Sequence, residues 1–254
     1  PTLSFAPDLA SLVQDCRNLL VVAPAAVFAG EGFPALLPAA QQSLLLELAR
    51  EQKPGDLGVV AATLTGGATS EGPRRLLVGV LPDHGSRYNS PARAESVRRV
   101  VAGADLGSAG KAGIVLVLAD QAHLLPAVNA VGRAIAVYTA KSSPASTLAL
   151  QILAIDRTGQ PIPLGPEVEA TMHATRTAGG LVDTPPSELH PGAFAARGLI
   201  VDAEALQPVV ERGALHAERA RDLGLVAVAA RERGEQLAAL DVLELRVEID
   251  LRGR

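Results

Sequence analysis

Short apolar runs alternate with helically spaced stretches along the first 156 residues. "NLLVVA" (Asn18–Ala23) is apolar enough for a buried strand, and Pro34–Gln52 carries helical spacing behind an opening proline. Two further strands are predicted at Asp56–Leu64 and Arg75–Pro82, joined by a Gly/Thr/Ser loop around Gly66 and Gly67. "NSPARAESVRRVV" predicts a helix start, with Ser90 as cap, Pro91 in the first turn and Glu95 behind it. Ala112–Asp120 is apolar throughout and ends at an acid, which marks a strand. Pro126–Tyr138 has helical spacing, and Ser146–Asp156 alternates as a strand with two unlike faces does. Strand and helix in such alternation predict an α/β fold with a mixed, mostly parallel sheet flanked by helices.

Composition sharpens this. Hydrophobic residues are 48% of 254 and charged ones 20%, but aromatics only 2%, so the core is built from Ala, Val, Leu and Ile. The net charge is −4, and the 23 Lys and Arg form no basic stripe, which argues against nucleic-acid binding. The single Cys16 excludes an intrachain disulfide and implies a reducing, cytoplasmic setting. Asp8 and Asp15 do not fit a signal peptide, and no apolar run is long enough for a membrane helix.

The pattern breaks at Asp156–Glu167, where Gly and Pro cluster as an exposed linker would, so residues up to about Asp156 are expected to fold alone. Glu167–Leu181 returns to helical spacing and runs into "LVDTPPSELHPGAFA" (Leu181–Ala195). Pro185 and Pro186 fix φ and remove two amide donors, so the chain is expected to leave a strand there. Asp183 and Thr184 can cap the turn, and Pro191 suits a helix start behind His190. A rigid connector is the plain reading. The tail continues with strand-like Gly198–Asp202 and Leu223–Ala230, and an edge-strand pattern at Glu244–Leu251.

"TRTAGGLVDTPPSELHPGAFA" resembles the entry to the catalytic domain of the leucine aminopeptidase family of two-metal exopeptidases, through Leu181, Val182, Asp183, Thr184, Pro185 and Pro191. "RYNSPARAESVRRVV" and the strand after it resemble the N-terminal domain of that family's probable-aminopeptidase branch, so the resemblance covers roughly Leu76 to Ala196. It implies a macro-domain-like N-terminal domain at 1–156, a linker and connecting helix at 157–181, and a truncated or divergent start of the catalytic domain at 182–254, a short α/β portion. It also implies hydrolysis of N-terminal residues from peptides, with two divalent metals such as Mn or Zn in full-length members, and an oligomer.

Family motifs resembling "GKGxxxDSGG" and "NTDAEGR" do not occur here, and Lys53, Lys111 and Lys141 all precede the proline junction. Paired metals need clustered carboxylates. Asp202, Glu204, Glu211 and Glu218 lie on stretches that read as solvated helix. No catalytic, cofactor-binding or metal-ligating residue is therefore assigned, and the chain alone is expected to be inactive. His84, His123, His173, His190 and His216 show no metal-ligand spacing, and His216 and Glu218 point to different faces of a helix. Cys16 reads as a structural thiol. The Gly66–Gly72 loop lacks the lysine of a phosphate cradle, although it or the loop before Pro91 could hold a diphosphate as macro domains hold ADP-ribose. Three roles follow: the assembly half of an aminopeptidase, a non-catalytic assembly or binding module, or a nucleotide binder. A homo-oligomer or partner chain is expected to engage the C-terminal portion, where Leu181, Val182, Leu199, Ile200, Leu225, Val226 and Val228 lack cover.

Overall fold

A computed structural model describes residues 1–30, 33–65, 72–85, 91–138 and 146–194. The Gly66–Gly67 loop, Ser90, the tail strands, His216 and Glu218 lie outside them. The chain divides into two compact units, Pro1–Gly180 and Leu181–Arg254.

The first unit is built on six strands: β1 (Thr2–Phe5), β2 (Asn18–Pro24), β3 (Val59–Leu64), β4 (Arg75–Leu81), β5 (Ala109–Val117) and β6 (Thr147–Ile155). They lie in the order β1-β6-β5-β2-β4-β3. All neighbours are parallel except β3, which runs antiparallel to β4 at the edge. Interior strands of such a sheet are covered on both faces, which explains their unbroken apolar runs. Leu20, Val22, Ile114, Leu116, Leu150 and Ile152 face one core, while Leu19, Val21, Val115 and Val117 face the other.

Helices α1 (Leu9–Asp15), α2 (Ala25–Ala29) and α3 (Ala39–Arg50) cover the second face through Leu12, Phe28 and Leu45. Helices α4 (Ala94–Gly103), α5 (Leu124–Ala134) and α6 (Pro166–Asp183) cover the first through Val97, Val100, Val128, Val131, Val168 and Met172. The result is a three-layer α/β/α unit.

Several helix boundaries differ from expectation. α3 starts at Ala39 rather than Pro34, because a second proline, Pro38, holds the preceding chain extended and occupies the cap. α4 starts at Ala94 rather than Pro91, because Arg93 takes a left-handed conformation with φ 52°. α5 begins two residues early and ends at Ala134, ahead of Tyr138. After β6 the chain turns at Asp156, whose carboxylate accepts the amides of Thr158 (2.8 Å) and Gln160 (2.9 Å). Ile155 bridges to Pro161, the Ile162 amide donates to Ala154 O at 2.9 Å, and Ile162 is buried.

In the second unit only Leu181–Phe194 falls among the described residues. Leu181–Asp183 close α6, so the prolines end a helix and not the strand expected there. The turn beyond is held by the amides of Glu188 and Leu189, which donate to Pro185 O at 2.9 and 2.8 Å. Residues 191–194 are helical, with the Ala193 amide donating to His190 Nδ1 at 3.3 Å, so His190 caps the start that Pro191 opens.

Candidate functional site

In open parallel sheets, ligands bind beyond the carboxyl ends of the strands, where neighbouring connections leave to opposite faces. Here that place lies between β2, which feeds α2 and α3 on one face, and β5, which feeds α5 on the other. A crevice opens there, lined by Pro24, Leu81, Arg93, Leu118, Ala119 and His123 among others.

The rim is polar and tightly tied. The Arg93 guanidinium donates to the carbonyls of Pro82 and Asp83, and to Pro91 O at 2.8 Å. The Asp83 carboxylate accepts the Ala26 amide at 2.7 Å in the first turn of α2. Asp120, the acid that ends the β5 run, accepts the Ala122 amide at 2.8 Å and caps the single 3-10 turn before α5. These charges organise loops. The described walls leave about 20 Å³ of room, enough for roughly one water, whereas small-molecule sites run to about 300–1,000 Å³.

The other candidates are dispersed. Among the described residues no group of three or more His, Cys, Asp or Glu could hold a metal ion. His84 and His190 are exposed, and His173 sits 3.8 Å from Glu169 on exposed α6 surface. Cys16 is buried, and burial pushes its thiol up to about 12, so it stays protonated and non-nucleophilic at neutral pH. Of the expected diphosphate loop Gly72 is described, and it lies against the Gln41 side chain, with φ 89°. Sequence reasoning missed Arg93 and Asp83. Asp83 follows the end of β4 much as Asp120 follows β5, a signal that was available. Arg93 gave none, because its role depends on carbonyls of a loop ten residues back.

With this geometry in place, known proteins can be compared with the domain. Residues 38–144 match the family model for M17 aminopeptidase N-terminal domain 2. That segment of the chain is similar to the N-terminal domain of M17 aminopeptidases. The M17 fold extends beyond the matched segment. The leucine aminopeptidase of Caenorhabditis elegans superposes with a TM-score of 0.60 at 15% identity, covering 80% of this chain and 40% of that one. Leucyl aminopeptidases of Leishmania major (0.57, 23%, 77% and 39%) and Trypanosoma cruzi (0.60, 21%, 80% and 41%) share the fold as well. The chain thus spans about two fifths of the length of these solved relatives. No curated protein sequence matches it significantly. No helix among the described residues is long and apolar enough to cross a membrane.

Proposed function

We propose that this chain is the N-terminal, assembly-forming half of a metallo-exopeptidase that removes N-terminal residues from peptides. The carrying observation is the M17 N-terminal domain match over residues 38–144, followed in order by a connecting helix and the Asp183–Pro186 turn. In this reading residues 1–156 form the macro-like domain, 157–181 the linker and connecting helix, and 182–254 the start of the catalytic side. The work of the chain is to shape an oligomer, or a complex with a partner chain, in the cytoplasm. Two divalent metals, such as Mn or Zn, would polarise the peptide carbonyl and acidify a water on a complete catalytic side.

A non-catalytic assembly module is the second reading. It is favoured by the exposed apolar side chains of Val182 and Phe194 beside the proline turn. The nucleotide-binder reading is weaker, because Arg93 is already committed to carbonyls and the described crevice holds about one water.

The purified chain is expected to release no leucine from a chromogenic leucine substrate with added Mn²⁺, Zn²⁺ or Co²⁺. Metal-dependent turnover in a contaminant-free preparation refutes the inactive-half reading. Turnover only after mixing with a second chain supports the first reading over the module.

A further inference from the structure

The connecting helix does not lie free of the sheet unit. Its inward residues fall at four-residue steps, Val168, Met172, Arg176 and Gly180, one stripe along one face. Met172 is fully buried against Gly132 of α5, where an added methyl carbon would stand 2.8 Å from Met172 Cγ. Gly180 meets Val137 just past the end of α5, and a methyl carbon there would come within 3.1 Å of the valine Cβ. Two glycines, one on each helix, therefore allow close approach at two points along the stripe.

Between them sits Arg176. Its Nε donates to Ile135 O at 3.2 Å, the carbonyl at the C-cap of α5, and its Nη2 donates to Pro1 O at 2.6 Å, at the start of β1. A cation at a helix carboxyl end complements the dipole and satisfies a carbonyl that the helix leaves unbonded. A planar fork can hold two carbonyls from different segments at once, which a lysine ammonium cannot do in the same geometry. One side chain thus joins three segments that are distant in sequence.

We propose that Arg176 is a positioning residue that locks α6 onto the sheet unit. The helix up to Gly180 is then a fixed arm of that unit, with no hinge at the Gly/Pro cluster of 156–167. The proposal concerns the first unit alone and stands without the aminopeptidase reading. Partial burial of the guanidinium lowers its affinity for a proton, because desolvation disfavours the charged form.

Amide hydrogen exchange on the whole chain tests this. In the wild type, amides of 169–180 are expected to be protected to a similar degree as those of α5. Arg176→Met should speed exchange in 173–180 by about tenfold or more while leaving β2, β4 and β5 unchanged, and Arg176→Lys should not restore protection. Arg176→Gln, which keeps a polar side chain but cannot reach both carbonyls, should give the same local signature and serves if Arg176→Met does not fold. Unprotected α6 amides in the wild type overturn the proposal. So does an Arg176→Met protein with 173–180 within about twofold of wild type, or one whose acceleration spreads evenly over the central strands.

Discussion

Gly79 shows how single positions set the layers. It lies in β4 beneath α4, and an added Cβ would stand 2.3 Å from Val100 Cγ1 and 3.2 Å from Val22 Cγ2. Neither valine has room to retreat, since both are buried in the same core. Gly79→Ala is expected to destabilise the fold by about 1–3 kcal/mol through overpacking. Adding Val100→Ala should recover part of that loss. Urea unfolding of the two variants checks this, and an unchanged midpoint for Gly79→Ala would show that α4 is not seated where the packing places it. At this scale sequence reading reaches some residues and not others. Asp120 is visible as an acid closing an apolar run because a cap is a local device. Arg93 is invisible because its left-handed backbone and its carbonyl partners are imposed by the loop after β4.

Helix α4 shows the same division at the level of elements. Glu95 in its first turn marks a helix start, yet the helix opens at Ala94, after the turn that Arg93 closes. Once in place, Glu95 receives two hydrogen bonds from Arg98 (2.8 and 2.6 Å) and one from Arg99 (3.2 Å). Chiefly through Arg98, its carboxyl falls from the ordinary 4.5 to about 2. Because the folded value is the lower one, this contribution is complete above about pH 4.5 and is lost as pH falls towards 2. The pair is exposed and screened, so its worth is about 0.5 kcal/mol. Glu95→Gln should therefore lower stability slightly at pH 7 and make almost no difference at pH 2, as urea midpoints at the two pH values will show. An equal loss at both would mean that packing, not charge, is at work. β1, α1 and α2 were missed altogether. At four, seven and five residues they are too short to display a period; pairing with β6 defines β1, while α1 packs on β5 and β6 and α2 on β2 and α3.

Across the whole molecule, Val182 is 84% exposed and Phe194 51% exposed among the described residues near the proline turn. These two side chains are the described part of the surface on which the assembly reading rests. The chain is expected to self-associate at micromolar concentration in light scattering, and Val182→Lys with Phe194→Lys should shift it towards monomer. A wild-type monomer that binds no hydrophobic dye would remove the assembly reading. The α/β class, the β2, β4, β5 and β6 strands, the connecting helix and the likeness to an aminopeptidase N-terminal domain were all legible without coordinates. The elements rest on local hydrophobic period and on proline and glycine placement, which act over a few residues, and the likeness rests on the motifs "RYNSPARAESVRRVV" and "LVDTPP". Strand order, the antiparallel edge at β3, the loop-binding use of Arg93 and the clasp of Arg176 on Ile135 and Pro1 were decided only by tertiary structure. Each depends on groups brought together from far along the chain, and hydrophobic period carries no record of which distant carbonyl a side chain will meet.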